Sequence, residues 1–553
     1  MKTDVTKIWQ LYESGTDYNN RLEPNYYDLV ELCIQYVQGN QWIGLENEEF
    51  PKATFNYTKR VVDLFNSLLC SAKTGINIAP FATVDTDEEQ ELADMAKAAV
   101  ESYMELSSYD SFKRECVRDA LIMGDTAVHY YFDPECKSKL GEMGEIKREQ
   151  VYGNNIIFGN PNSNKVVGQP YILIVGRDLV KNLKEEAEAH GNPTDEIRAD
   201  EADEQGNFDN YEESDAEGYL KATYILKYEM EDGKLLVSKS TEKAIIYDGD
   251  ETNQTRYPIA WLYNDKQYQC YHGRSLVADM LHNQNYINRA FSLMMYYTMS
   301  VAYGKPIYDA DRIQGWTSEL GVALGVKGLQ PGQGINTVAS NIAPSNMNTA
   351  VVSIIEMAIE YTKETIGLTD TLMGSVNPEN KGAIAIVTKN SQSPLENMGE
   401  HIRMWTEEQV LIISDIQSAK YGTRKVVVEE EGERYLQEFN FDMLKESMLN
   451  VYVEIGESSF FGEPAIVQTL DNLFTAGIID DMQLLERYPE SQIPKLAELI
   501  EAKQQMTSPE ATQDDSQALI DFYEQLPPET QAQIQALPQE QQGQAIRQLM
   551  QRR

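Results

Sequence analysis

Apolar residues recur every three or four positions through residues 1 to about 130, the spacing of helices with one buried side. YYDLVELCIQYVQGNQW sets Leu29, Leu32, Cys33, Tyr36 and Val37 on one face, and Gly39-Asn40 ends that helix. TKRVVDLFNSLLCSAKTG repeats the device with Val61, Val62, Leu64, Phe65, Leu68 and Leu69. A third helix opens in DTDEEQELADMAKAAVESYMEL, whose early acids suit a helix N-terminus, and YDSFKRECVRDALIMG is a fourth. The period then shortens to two. TAVHYYFDP, EQVYGNNIIFG, QPYILIVGRDL, GYLKATYILKYEMEDGKLLVSKS and KAIIYDG read as strands, with Asp232-Gly233 marking a hairpin.

Between these strands lies KEEAEAHGNPTDEIRADEADEQGNFDNYEESDAEG, acidic and nearly free of large apolar residues. It reads as a helix end followed by a solvated insertion over about 185–217. No D-x-[DN]-x-[DN]-G loop is present, so calcium is not expected there. GRSLVADMLHNQNYINRAFSLMMYYTMSVAYG predicts a long helix with Leu276, Met280, Ile287, Ala290, Phe291 and Met294 as its stripe. About thirty residues at 1.5 Å each give a rod of roughly 45 Å. A glycine-rich, β-rich excursion follows, and AVVSIIEMAIEYTKETIG returns as helix. Val351, Ile355, Ala358 and Thr362 form one apolar face of that helix; Val352, Ile359 and Ile366 form another. One face has to be covered by the same chain or by neighbouring copies.

GLTDTLMGSVNPENKGAIAIVTKN then forms a polar loop and a small apolar patch ahead of another long helix, SPLENMGEHIRMWTEEQVLIISDIQSAKYG. KVVVEEEGERYLQEFNFDML and LNVYVEIGESS are expected to rejoin the earlier β region. The tail beyond about Glu463 is rich in Gln, Glu and Pro, and reads as short amphipathic helices such as PAIVQTLDNLFTAG and SQIPKLAELIEAKQQM.

Composition changes the picture only in part. A hydrophobic share of 42% supports a sizeable folded core, whereas 47 basic against 88 acidic residues, net −41, argue against a grip on nucleic acid through phosphate neutralisation. Five scattered cysteines without a C-x-x-C pair point away from zinc and from a disulfide framework. The N-terminus lacks the apolar core of a signal peptide. The longest apolar run, Ala290 to Gly304, is shorter than the about 20 residues a membrane span needs, and a buried helix is expected.

No nucleotide-binding glycine loop, no H-E-x-x-H and no G-x-S-x-G is present. The five histidines, His129, His190, His272, His282 and His401, show no ligand spacing; His282 and His401 fall in helices and His272 in an expected turn. Neither an enzyme, a metal nor a cofactor is expected.

The order of the pieces is more specific than any motif. YTKRVVDLFNSLLCSAKTGINIAPFATVDTDEEQELADMAKAAVE, RDALIMGDTAVHYYFDPE, PIAWLYNDKQYQCYHGRSLVADMLHNQNYINRAFS with its Gly-x-Ser helix start, and IGLTDTLMGSVNPENKGAIAI resemble the portal protein of tailed bacteriophages, the head–tail connector. The likeness runs over most of residues 55 to 420; the acidic insertion and the Gln-rich tail depart from it.

The resemblance implies an α+β portal fold: a mixed α/β wing, a long α-helical stem, a small α/β clip and a mainly α-helical crown. On this chain the wing is 1–272 with 384–460, the stem helices 273–304 and 349–369, the clip 305–348, the tunnel loop 370–383 and the crown 461–553. It implies a homo-oligomeric ring, commonly of twelve, at one capsid vertex of the virion, assembled in the bacterial cytoplasm without a membrane. Double-stranded DNA would pass through it during packaging and ejection, without sequence recognition. Its partners would be terminase, head–tail adaptors, the major capsid protein and scaffold.

The tunnel loop would present Leu372, Met373, Gly374, Ser375, Val376, Asn377, Pro378, Glu379, Asn380, Lys381 and Gly382, with Lys381 its only cation. Terminase and adaptors would dock on Ile313, Trp316, Leu320, Val322, Leu324 and Lys327. The competing readings are a different virion component, an adaptor or minor capsid protein without a DNA channel, and a carboxylate-dependent nuclease.

Overall fold

The first helices form where the apolar period places them. In a computed structural model, α1 (Val5–Arg21), α2 (Tyr26–Gln38), α3 (Tyr57–Leu69), α4 (Asp87–Leu106) and α5 (Tyr109–Met123) make up the N-terminal region, with one strand, β1 (Thr74–Pro80), between α3 and α4. Asn25 caps α2 by accepting from the Tyr27 and Asp28 N–H groups, and Gly39 ends it in the left-handed conformation at φ 96°.

The structure describes residues 5–43, 51–71, 74–80, 87–200, 220–302, 306–313, 325–332, 334–341, 350–368, 381–430, 433–445 and 449–455, and short pieces between 470 and 487. These fall in two compact units, Met1–Ser458 and Ser459–Arg553.

Two antiparallel sheets follow the helices. One has order β3-β2-β9, from β2 (Asp125–Lys137), β3 (Met143–Tyr152) and β9 (Ile259–Tyr263). The other has order β4-β5-β6-β7-β8, from β4 (Ile156–Phe158), β5 (Tyr171–Leu179), β6 (Lys221–Glu231), β7 (Lys234–Ser240) and β8 (Ile245–Glu251). Asp232 and Gly233, at φ 50° and 80°, make the tight β6–β7 turn.

Strand alternation decides which core each side chain joins. Val128 and Tyr130 of β2, with Ala260 and Leu262 of β9, point into the large helical core. Ala127, Ile259 and Trp261 point the other way, onto Phe158, Ile172 and Leu226 of the five-stranded sheet. The far face of that sheet carries Ile157, Leu173 and Ile225 against Ile8 of α1.

Helix α6 (Val180–Ala189) covers the same sheet's end through Leu183 and Ala187. The start of the acidic stretch is not solvated as expected. Ile197 is buried with Leu183 and Ile246, and Asp200 accepts from the Thr223 N–H and hydroxyl while pairing with Arg177 at 3.2 Å. One isoleucine and one well-placed carboxylate are enough to pin a polar segment. Residues 201–219 lie outside the described residues.

Two minimal strands, β10 (Asp265–Lys266) and β11 (Gly273–Arg274), lead into α7 (Leu276–Ala302). A short ribbon of β12 (Pro306–Tyr308) and β13 (Ala339–Asn341) follows, then α8 (Ala350–Thr365) and α9 (Lys381–Lys420). In the excursion between α7 and α8 the described residues contain strands and one 3-10 turn, Ile335–Thr337.

The last strands do not rejoin the earlier sheets. Among the described residues β14 (Thr423–Glu430) and β15 (Glu433–Asn440) pair with each other alone, and β16 (Leu449–Ile455) runs antiparallel to β1. The outer edges of the two larger sheets are thus not where this segment ends; α9 carries the chain past them to α4 and β1.

In the second unit the described residues include α10 (Asp481–Arg487), a helix that the tail reading passes over. Of the expected helix PAIVQTLDNLFTAG, Leu470 and residues 473–475 are described and helical; the remaining expected tail helices lie outside the described residues. All five thiols are free: Cys33, Cys70, Cys116 and Cys270 are buried, and Cys136 sits half-buried near the outer end of β2.

Candidate functional site

The long helix α7 starts from a rigid base. Ser275 caps it, its Oγ accepting from the Val277 and Ala278 N–H groups at 3.0 and 3.2 Å and donating to the Ile122 carbonyl at 2.5 Å. The preceding His272 lies in a bend, as expected, but turns inward. It is buried and stacked on Tyr26, with ring centroids 3.6 Å apart. Its Nδ1 lies 3.0 Å from Asp125 Oδ2 and its Nε2 3.1 Å from Asn19 Oδ1.

Asp125 also accepts from the Gly273 N–H at 2.9 Å on Oδ2 and from the Tyr26 hydroxyl at 2.8 Å on Oδ1, so each carboxylate oxygen has a donor. Burial, then the Asp125 charge, pushes the Tyr26 phenol well above its ordinary value and keeps it a donor. Backbone packs on backbone here: Gly124 has φ 104°, and a Cβ on it would run into the Gly273 carbonyl. Asn19 of α1, Tyr26 of α2, Asp125 of β2 and His272 thereby meet under the first turn of α7.

The first half of α7 sinks Leu276, Val277, Met280 and Leu281 into the helical core, and Ile287 beyond them is buried too. Past Ser292 the situation changes. Leu293 is 57% exposed, and Met295, Tyr296 and Met299 are exposed beside it. Among the described residues, the apolar run from Ala290 is therefore open at Leu293, Met295, Tyr296 and Met299, and α8 packs beside this helix.

Helix α8 buries Ile355 and Thr362, with Ala358, Ile359 and, just past its end, Ile366 half-covered, so most of both apolar faces read from the sequence turns inward, while Val352 is exposed. A different stripe points outward. Ile354, Met357 and Tyr361 recur three and four positions apart, and Tyr361 is 60% exposed. Beside them Glu356, Glu360 and Glu364 make a third, acidic stripe, with Lys363 3.2 Å from Glu360. The exposed apolar stripe is legible in the spacing once Ile355 and Thr362 are known to face inward.

In the excursion, Ile313 is 3% exposed and bridges to Val326, which puts it in local packing and not on a docking surface. Lys327 is exposed, its N–H donating to the Arg312 carbonyl at 2.9 Å. Trp316, Leu320, Val322 and Leu324 lie outside the described residues. Ile307, Tyr308 and Leu329, which the sequence reading does not single out, are exposed apolar side chains on this excursion.

Leu372 through Asn380 also lie outside the described residues. Lys381 and Gly382 do not belong to a loop: they open α9, which continues unbroken for 40 residues. The Gly-Ala-Ile-Ala patch is helical because, after Gly382, alanine and isoleucine carry no helix-breaking feature.

The rear of α9 is fixed in the body. Leu395, Met398, Ile402, Trp405 and Ile413 enter the large core. Gln409 accepts from the Tyr130 hydroxyl at 2.8 Å and donates to the Tyr109 hydroxyl at 3.0 Å. His401 sits 3.2 Å from the carbonyls of Tyr263 and Asn264, at the end of β9. Among the described residues no group of three or more His, Cys, Asp or Glu is arranged to hold a metal, and no helix is long and apolar enough to cross a membrane.

No curated protein matches the chain. The family model of the phage P22-like portal protein does, over residues 181–553, about two thirds of the sequence. That span differs from the resemblance read in the sequence. It takes in the acidic insertion and the Gln-rich tail, and it leaves out residues 55–180. It begins at α6 and contains α7, the excursion, α8 and α9 in order, on a mixed α/β body of the kind a portal requires. The chain belongs to the P22-like portal protein family, structural proteins of the phage virion.

Proposed function

We propose that copies of this chain close into a ring at one vertex of the capsid, through which double-stranded DNA is packaged and later ejected. The observation that carries this reading, beside family membership, is the pair of open apolar surfaces on α7 and α8. Leu293 and Met299 on one helix, and Ile354, Met357 and Tyr361 on the other, form uncovered apolar patches of the kind soluble monomers seldom keep. A neighbouring copy covers them in the ring.

The acidic stripe Glu356, Glu360 and Glu364 then faces the bore. A wall of like charge gives DNA no contact that has to break at each step, and so lowers sliding friction. Residues 370–380, with Gly374, Asn377 and Asn380 tolerating unusual backbone angles, would serve as the tunnel loop at the constriction, with Leu372, Met373 and Val376 as an apolar tip of little affinity for phosphate. Lys381 at the head of α9 adds one weak, salt-sensitive cation per subunit. The excursion docks terminase and afterwards head–tail adaptors, through Lys327 and the exposed Ile307, Tyr308 and Leu329. The role is structural and not enzymatic; the buried histidines His129 and His272 hold the fold through Glu149, Tyr228, Asp125 and Asn19.

Imaging the purified full chain by electron microscopy tests the ring. Annular particles with a central hole are expected, and solitary globular particles at high concentration overturn it. Packaging assays test the bore: Glu356→Lys with Glu360→Lys slows DNA entry, and an unchanged rate removes the acidic stripe from the channel wall.

A further inference from the structure

Helix α7 carries a ladder of polar side chains on its body-facing side. Gln284, Asn288 and Ser292 are four residues apart and all buried. Their partners lie in the extended segment 51–56 and in the first residues of α3, and are nearly all main-chain groups. The Ala53 N–H donates to Ser292 Oγ at 3.0 Å, and the Phe55 N–H to Asn288 Oδ1 at 3.2 Å. The Tyr57 and Thr58 N–H groups both donate to Gln284 Oε1, at 3.1 and 3.2 Å, and Gln284 Nε2 donates back to the Phe55 carbonyl at 2.7 Å.

The pitch explains the pairing. Four helical residues advance about 6 Å, and two extended residues about 6.6 Å. Each rung therefore meets every second residue of a strand running the opposite way along the helix. Gln284 also serves the orphan N–H groups in the first turn of α3, so one side chain ties α3 to α7. Asn288 reaches on to Gln41 Oε1 at 2.5 Å, just past the end of α2.

This contact differs from the rest of the body. The strap puts no large side chain into the core: Lys52, Thr54 and Phe55 are exposed, and Phe55 packs on Phe291 at 4.1 Å between ring centroids. Lifting it uncovers the Asn288 amide, the Ser292 hydroxyl and the Trp42 indole N–H, which donates to the Ala53 carbonyl at 3.3 Å and the Thr54 hydroxyl at 3.2 Å. Water can serve all three, Gln284 keeps its bonds to the Tyr57 and Thr58 N–H groups, and the apolar packing of α2, α3 and α7 stays in place. The ladder also ends at Ser292, the point beyond which α7 leaves the body core.

We propose that residues 51–56 are a releasable strap, whose seating on Gln284, Asn288 and Ser292 decides whether α7 is tied to the N-terminal helices up to the point where its exposed half begins. Seated, it extends the rigid base to Ser292. Lifted, it moves the last firm hold back to the buried Ile287. The proposal does not depend on ring closure, since every contact lies within one chain.

Hydrogen exchange on the full chain, resolved by peptide mass spectrometry, tests it. In the native protein the strap amides of Ala53 and Phe55 should exchange about tenfold or more faster than those of Val61 and Val62 in α3, by local opening. Asn288→Ala with Ser292→Ala should speed the strap about tenfold again. It should also loosen α7 over 288–296 and leave 277–283 unchanged. Strap amides that exchange only as fast as Val61 and Val62 overturn the proposal, as does a loosened strap with no change over 288–296. If the double variant does not fold, Phe55→Ala, which leaves the ladder intact, carries the same two readouts.

Discussion

His272 Nδ1 stands 3.0 Å from Asp125 Oδ2, with neither side chain exposed to solvent. Asp125 is the first residue of β2 and His272 lies just ahead of α7, so the pair locks the sheet to the long helix. Removing one partner leaves an uncompensated group in the interior, which typically costs about 3–5 kcal/mol. Asp125→Ala should lower stability by that order in chemical denaturation. Tyr26→Phe, which removes one of several donors to the same carboxylate, should cost about 1 kcal/mol. Equal losses in the two variants would show that Asp125 does not anchor the network.

Gly124 offers a test of backbone packing at the same junction. Its φ of 104° and the nearby Gly273 carbonyl leave no room for a side chain. Gly124→Ala has to distort either α5's end or the chain ahead of α7, and a loss of about 2 kcal/mol or more is expected. Gly141→Ala is the comparison: it also has positive φ, at 92°, but nothing lies within 4 Å of its added Cβ. It should cost clearly less.

Lys113 of α5 is 3% exposed, and burial pushes its ammonium below its ordinary value. The unfolded chain therefore binds this proton more tightly than the folded one. Stability should rise as pH climbs through the lowered folded value towards the unfolded value of about 10.4. Lys113→Met should flatten that rise and raise stability at neutral pH by about 1 kcal/mol or more. A pH profile from about 8 to 10.5 on both proteins checks the sign.

Met357 and Tyr361 lie on the open stripe of α8, away from Ile355 and Thr362. Met357→Lys with Tyr361→Lys should leave the stability of the subunit within about 0.5 kcal/mol, as for surface changes generally. The same pair of changes should abolish annular particles in size-exclusion chromatography and micrographs. Rings that persist would move the neighbour contact to another face.

Most of the elements were legible because each carries a local signal. Gly39, Asp232-Gly233 and the Gly-x-Ser ahead of α7 mark turns or caps whatever the rest of the chain does. Long-range pairing carries no such mark. β14, β15 and β16 have ordinary strand composition, and nothing in KVVVEEEGERYLQEF tells a free ribbon from an added sheet edge. The strap is of the same kind. Gln284, Asn288 and Ser292 are spaced four apart in plain view, but their partners are nearly all main-chain groups, which leave no trace in residue identity. On α8, residues apolar on nearly every side leave the inward face undecided until α7 is in place. Ile197 gives no signal of burial among its acidic neighbours, although a single apolar residue can anchor a polar segment.

The distribution of thiols has a practical use. Four cysteines are shut in the core, and burial pushes Cys33 up to about 11, far from the thiolate form at neutral pH. Cys136 alone is partly open to reagent. The unmodified chain should thus accept one maleimide dye per polypeptide under native conditions. Stepwise photobleaching of a labelled particle would then count its subunits without an engineered tag.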